Sequence, residues 1–488
     1  MVVDKDPSAR PQRPFSLARH PDGALARSSA AHAARRPVKL SLPRPVGRLP
    51  QPVREGLVFA TVTAGAAMVL FLWWHDTLAA SLNGWGADLT AAGRITGLLG
   101  TYLVLVEVVL MGRVRWLDEL IGMDRLAVWH KRNGFYAVWL LIAHAALTSW
   151  GYAISDHTSL THETGVVIFS YPDVMAATLG LLLLVGVGIA GARAARRRLR
   201  FETWYFIHLY TYLAIALSFA HVFATGNDFV SYPANRAFWI ALYVIAFGNL
   251  LLYRVAMPLR NAARHRMRVA NVVAEAPGVV SIYITGHNLG DLSVQSGQFF
   301  LWRFLTREGW WQAHPFSLSA APNPNWLRIM VKDAGDFTAS LQSIRPGTRV
   351  FAEGPYGAFT RIRRTRRKVL LIGGGVGIAP VRALLESLPA ARGDLTLLYR
   401  ARKEEDLAFR EEIQQLARLR GATVHYLVGP RRRRANSFDP ESLRHLVPNI
   451  ASHDVYLCGP PAMREQATAG LRAAGVPKRH IHVENFEL

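Results

Sequence analysis

The stretch HKRNGFYAVWLLIAHAA, residues 130–146, sets His130 at the mouth of an apolar run and His144 deep inside it. A helix needs about 20 apolar residues to cross hydrocarbon, and the run, extended to residue 151, supplies them. An imidazole is costly there and faces a bundle interior with a partner. A second stretch repeats the pattern: in HLYTYLAIALSFAH, residues 208–221, His208 opens the run and His221 closes it. The steps are fourteen residues in the first helix and thirteen in the second. At 1.5 Å per residue each helix separates its histidines by about 20 Å, so helices running the same way create two levels, His130 with His208 and His144 with His221.

Two neutral imidazoles facing each other across a bundle suit the axial positions of a haem iron, and two such pairs suit two stacked haems. Metal ligation is therefore expected at His130, His144, His208 and His221. The alternative is four core histidines bonded to carbonyls or hydroxyls of neighbouring helices. A fourteen-residue step returns to within about 40° of the same face, whereas thirteen residues miss by about 140° on an ideal helix. The second helix is thus expected to tighten locally, as in a 3₁₀ turn.

Working outward, the chain has 488 residues, 51% of them hydrophobic, and a mean hydropathy of +0.14. That allows three or four domains with part of the chain in a membrane. Six apolar segments, 55–74, 93–112, 130–151, 173–192, 203–225 and 236–257, are long enough to span. Lys and Arg crowd residues 1–52, the 113–132 loop, RAARRRLR from Arg193 and the exit after Arg254, while loops 75–92, 152–172 and 226–235 contain none. The alternation predicts six helices over 53–258, with both termini cytoplasmic, in the plasma or inner membrane. It also accounts for much of the net charge of +23. No basic patch is interleaved with aromatic residues, so nucleic acid is not read as a partner. Cys458 is the only cysteine, which excludes intrachain disulfides and thiolate metal clusters. Residues 1–52, rich in Arg, Pro, Ala and Ser, read as a disordered basic tail.

After Pro258 the pattern changes to short alternating strands with Gly and Pro turns. Residues 262–362 read as an antiparallel β-barrel with strands in HRMRVANVV, VVSIYITG, GQFFLWRFL, WLRIMVK and TRVFAEGPYG. Residues 366–488 alternate strand and helix, with parallel strands in KVLLIGGG, DLTLLYRA, TVHYLVG and DVYLCGP, an α/β Rossmann-like nucleotide-binding domain. In KVLLIGGGVGIAP the strand ends in Gly373, Gly374, Gly375 and Gly377, and a helix is expected near Pro380. Backbone amides there can approach a phosphate at a helix N-terminus. A tight strand-to-helix turn needs glycine too.

HPFSLSAAP at 314–322, GDFTASL, EGPYG, GGGVGIAP, YRARKEEDLAF and YLCGPPAM, in that order, resemble the ferredoxin-reductase-type flavoprotein module. Joined to six helices with paired histidines, the chain resembles the membrane ferric reductase and NADPH oxidase superfamily from about residue 57 to the end. The resemblance implies FAD held by His314, Pro315, Phe316 and Ser317 at the isoalloxazine and by Gly335, Phe337 and Thr338 at the pyrophosphate. It implies NAD(P)H held by Gly373 to Pro380, with Cys458, Gly459 and Pro460 beside the nicotinamide, and Phe486 as the terminal aromatic that covers the flavin. Ser317, Cys458 and Phe486 are the catalytic candidates. Arg400, Arg402 and Lys403 follow the second strand, where cations can pair with a 2′-phosphate, so NADPH is favoured and NADH stays possible.

The expected activity is electron transfer from cytoplasmic NAD(P)H through FAD and two b-type haems to ferric iron or dioxygen outside. A membrane-anchored flavin reductase without haem, serving a protein partner, is the alternative. Asp156, His157, His162 and Glu163, on the outer loop, and His75 stay open between metal binding and hydration.

Overall fold

The computed structural model describes residues 51–77, 83–192, 201–225, 232–429 and 438–484. Most of the basic tail, the RAARRRLR stretch and Phe486 lie outside the described residues. Six helices are long and apolar enough to cross a membrane. They are α1 (Gln51–Asp76), α2 (Trp85–Leu110), and, after a short α3 (Arg115–Ile121), α4 (Met123–Ser155); then, after α5 (Leu160–Ser170), α6 (Val174–Gly191), α7 (Phe201–Thr225) and α8 (Pro233–Leu251). Helix α2 begins before the expected residue 93 and α4 before residue 130, because hydropathy marks the hydrocarbon layer while helical geometry continues into its polar margins.

Large apolar side chains such as Phe59, Leu182 and Val244 face outward, as a lipid solvent permits. Several helices meet through glycines, beside a core around Tyr102, Trp239 and Tyr243. Along α2, Gly93 and Gly97 of GRITG lie so close to α4 that a Cβ on Gly93 would be 2.4 Å from Thr148 Oγ1 and one on Gly97 would be 2.6 Å from His144 Nδ1. From α4, a Cβ on Gly151 would come within 2.7 Å of the Thr90 amide nitrogen. Helix α6 approaches α7 in the same way, Gly180 lying against the Ala214 carbonyl. The two histidine-bearing helices thus have different main neighbours, α4 packing chiefly on α2 and α7 on α6.

The tightening expected in α7 is not seen: Phe201–Thr225 is α-helical throughout. Thr211 donates to the His208 carbonyl at 2.8 Å and Ser218 to the Ala214 carbonyl at 2.9 Å. Both rings meet their partners without a 3₁₀ turn.

Helix α8 runs on through a π-helical stretch, Leu252–Ala256, into α9 (Met257–His265). A two-sheet antiparallel barrel follows: β1 (Arg268–Ala276), β2 (Val279–Thr285), β3 (Phe299–Phe304), β4 (His314–Ser317), β5 (Trp326–Lys332), α10 (Asp336–Leu341) and β6 (Val350–Tyr356), in sheets ordered β1-β2-β5 and β4-β3-β6. Ile282, Ile284, Phe300, Trp302, Leu318 and Ile329 fill it.

The last part comprises β7 (Lys368–Gly374), α11 (Ile378–Ser387), β8 (Leu395–Ala401), α12 (Arg410–Arg420), β9 (Thr423–Val428), α13 (Pro440–Leu446), β10 (His453–Cys458), α14 (Pro461–Ala473) and β11 (Ile481–Glu484). Its sheet is parallel, ordered β11-β10-β7-β8-β9. Val369, Leu370, Leu371 and Ile372 are wholly buried, as a strand covered on both faces requires. A 3₁₀ turn, Gly375–Gly377, precedes α11, so Pro380 falls in its first turn. Barrel and nucleotide sheet are joined by a buried charge cluster in which Arg328 of β5 bonds Glu412 of α12 at 3.1 Å, and Arg382 of α11 bonds both Glu412 and Glu386.

Candidate functional site

The four intramembrane histidines come together as two pairs. The ring centroids of His130 and His208 are 5.7 Å apart, and those of His144 and His221 are 6.4 Å apart. Metal–imidazole bonds of about 2 Å on both sides of one iron place collinear ring centroids about 6 Å apart, so both pairs have the span of a bis-imidazole site. The glycine seam supplies the next layer. His144 Nδ1 is 2.8 Å from the Gly93 carbonyl; donation there assigns the proton to Nδ1 and leaves Nε2 to ligate. His130 Nδ1 lies against the Glu107 carboxylate, and Trp204 stacks on His208 with centroids 5.2 Å apart. The donor set therefore fits two haem irons, one per level.

On the barrel, β3 aligns the flavin motif, pairing Trp302 with His314, Leu301 with Pro315, Phe300 with Phe316 and Phe299 with Ser317. Phe299 also pairs with Tyr356 of β6, which brings EGPYG alongside HPFS. Ser317 Oγ is buried with no hydrogen-bond partner among the described residues. A buried hydroxyl without a partner is costly, and the polar edge of an isoalloxazine would satisfy it. The His314 ring stacks on Phe337 with centroids 3.9 Å apart. Thr338 accepts from the Ala334 amide at 2.8 Å and donates to Gly335 O at 2.9 Å, shaping the turn that opens α10. HPFS and GDFT thus form one surface, and FAD fits it.

The loop between α2 and α4 docks on this surface. Arg113 pairs with Glu353 and lies over the Tyr356 ring, 5.6 Å from its centroid. Asp118 accepts from the Gly357 amide at 3.2 Å, and Met123 packs against Phe299, Leu301 and Tyr356. These contacts hold the flavin surface against the entrance to the His130–His208 level.

At the nucleotide sheet, Gly373 stands in register with Cys458 on one side and Tyr399 on the other. A Cβ on Gly377 would be 2.3 Å from the Cys458 carbonyl, and one on Gly374 would be 2.4 Å from Met463 Sδ. Only glycine allows the turn to close over the Cys458-Gly459-Pro460 strand end. Burial pushes the Cys458 thiol up. Arg400 is drawn inward, bonding the Leu427 carbonyl at 2.7 Å and the Gly429 carbonyl at 2.5 Å. Lys403 bonds Glu405 at 2.8 Å, and Arg402 is exposed. Glu484, the last described residue, lies 3.6 Å from where a Gly357 Cβ would stand, so β11 delivers the chain to the flavin surface two positions before Phe486.

On the opposite face of the bundle, Asp156, His157 and His162 are exposed, while Glu163 is buried and accepts from Thr158 at 3.0 Å. Among the described residues no group of three or more His, Cys, Asp or Glu side chains is placed to hold a metal ion. Sequence reasoning missed Gly93, Gly97, Glu107, Arg113, Asp118 and Glu353. The GxxxG spacing in GRITG signals the first two, and an acid inside an apolar run signals the third.

Three family models match in order: a ferric reductase like transmembrane component over residues 96–219, an FAD-binding domain over 264–360 and an oxidoreductase NAD-binding domain over 371–469. The chain has the ferric reductase and NADPH oxidase-type architecture. It is an integral membrane oxidoreductase with FAD- and NAD(P)-binding domains. The chain is similar to ferredoxin--NADP reductase B of Sorangium cellulosum (strain So ce56), 34% identical over 35% of this chain and 77% of that protein. It is also similar to the toluate 1,2-dioxygenase electron transfer component of Pseudomonas putida, 26% identical over 46% of this chain and 68% of that protein. Among solved structures, the FAD/NAD binding domain of nitric oxide dioxygenase from Vibrio cholerae matches at 26% identity and a TM-score of 0.39, over 45% of this chain and 97% of that one.

Proposed function

We propose that this ferric reductase-type protein carries electrons from NAD(P)H on the cytoplasmic side, by way of bound FAD and two bis-histidine b-type haems, to ferric iron or dioxygen on the outer side. The observation that carries the reading is the pairing of four histidines at two levels between helices α4 and α7. When bound, FAD takes a hydride and yields single electrons that haem iron relays.

The chain's residues bind, orient and shield. Gly373, Gly374, Gly375 and Gly377 admit the dinucleotide phosphates, and Cys458 and Pro460 shape the nicotinamide end. Ser317 offers its hydroxyl to the flavin edge, while Phe316 and His314 line it. Arg402 is the cation left to favour NADPH over NADH, and Phe486 covers the flavin until nicotinamide replaces it. His130 and His208 hold the inner iron, and His144 and His221 the outer one. The loops rich in Lys and Arg set both termini in the cytoplasm of a cell whose plasma or inner membrane holds the bundle.

A reduced-minus-oxidised absorbance spectrum of the detergent-purified protein after NADPH addition tests this. Haem bands reduced by NADPH are expected; protein that takes up FAD but shows no haem band sinks the reading and leaves an anchored flavin reductase. Superoxide formation measured against ferric-chelate reduction then separates the two acceptors.

A further inference from the structure

The two ligand candidates on α4 rest on unlike groups. His144 Nδ1 meets a neutral acceptor, the Gly93 carbonyl, at 2.8 Å. His130 Nδ1 meets the carboxylate of Glu107. Both acceptors come from α2, and their fourteen-residue separation equals that of the two histidines on antiparallel α4. One packing seam thus serves both levels with a different acceptor at each.

Glu107 lies within an apolar span, Trp85–Leu110, where a carboxylate is expensive without partners. It has them. Asn133 donates its amide to Glu107 and to the Leu103 carbonyl, the latter at 2.9 Å. Gly134 leaves room beside it, since a Cβ there would stand 3.8 Å from Glu107 Cδ. The Glu107 side chain is 13% exposed and that of His130 28%, so water screens their contact little.

We propose that Glu107 is a positioning residue that accepts the Nδ1 proton of His130 in a charge-assisted hydrogen bond and so holds the inner haem at a lower reduction potential than the outer one. A carboxylate acceptor raises the basicity of the ligating nitrogen more than a carbonyl does, which favours the oxidised iron. The chain itself thereby grades the two levels, and electrons entering at the flavin side fall outward. This rests on the bis-histidine reading above.

Redox titration of the purified full chain, followed at the haem bands, tests it without turnover. The inner couple is the one that survives His221→Leu. Glu107→Gln keeps the size and removes the charge. It is expected to raise the inner couple roughly tenfold in its one-electron reduction equilibrium, about 59 mV, and to leave the outer couple in place. Asn133→Leu strips Glu107 of its amide donor, leaves more charge on His130 and is expected to lower the same couple; it decides the matter if Glu107→Gln loads no haem. An inner couple unmoved by these changes, or both couples moving together, overturns the role of Glu107. Wild-type protein with fewer than two haem couples overturns instead the bis-histidine reading, so the two failures are distinct.

Discussion

The membrane bundle and the flavin–nucleotide module are built on opposite plans. In the module, side chains such as Leu370, Ile372, Leu398 and Leu457 fill the interior, and even its buried charges are paired, Arg328 and Arg382 with Glu412. In the bundle many bulky side chains point outward, helices approach at glycines beside a smaller core around Tyr102, Trp239 and Tyr243, and α4 and α7 bring four imidazoles together as two pairs. A filled core defines a fold by itself. A bundle that pairs four imidazoles at two levels makes those histidines part of its architecture.

Replacing the imidazoles tests that contrast most severely. His144→Ala and His221→Ala are each expected to lose one haem and abolish transmembrane transfer while NADPH still reduces the flavin, read as haem-to-protein ratio and stopped-flow flavin bleaching. A variant keeping both haems would break the comparison at its root. The junction comes next. Arg113→Ala removes the pair with Glu353 and the cation over Tyr356, and a misplacement of about 1 Å at a reacting centre can cost about 100-fold in rate. Anaerobic stopped-flow should therefore show haem reduction slowed toward that extent and flavin reduction by NADPH slowed far less.

Two glycines sharpen the packing claim at smaller cost. Gly97→Ala drives a methyl toward His144 Nδ1 and is expected to destabilise by about 1–3 kcal/mol, with weakened haem retention in a thermal melt. Gly186→Ala, where nothing lies within 4 Å, should be neutral or stabilising by up to about 1 kcal/mol through helix propensity.

The smallest effect belongs to the module's charges. Burial works against ionisation of Glu412, but Arg382 and then Arg328 outweigh it and hold its carboxyl low. Asp454 is held low likewise: burial opposes, and His482, the Thr365 and Arg366 amides and His480 prevail. A carboxyl depressed in the folded state contributes stability that is complete above its unfolded value, about pH 4, and is lost as pH falls through that value toward the folded one. The melting point of the module is expected to fall most steeply below about pH 4, with a shallower drop there in Glu412→Gln.

Much of this was legible in the sequence because its signals are local. Twenty-residue apolar runs, cation-rich alternate loops and strand-ending glycines mark the spans and the nucleotide sheet without reference to anything distant. Short or distant features were not. Helix α5 hides in a loop whose start shows only as a Ser159 cap accepting from the His162 amide at 3.3 Å. HPFS was read as a motif and proves also to be the strand β4, and β11, four residues long, carries too little pattern to announce itself. Arg113 and Glu353 are 240 positions apart, and no local rule links them. Arg400 was expected to face a 2′-phosphate, yet the open carbonyls at the end of β9 claim it first.

The sixth span does not stop at the membrane. From Pro233 to His265 the helix runs 33 residues, and His265 anchors its tip through Nδ1 to the His287 carbonyl at 2.9 Å, three positions before β1. No slack tether joins the two halves of the molecule. Under the proposed reading, the spacing between flavin and iron is therefore set by continuous helical backbone, and the domain that meets NAD(P)H is carried on it.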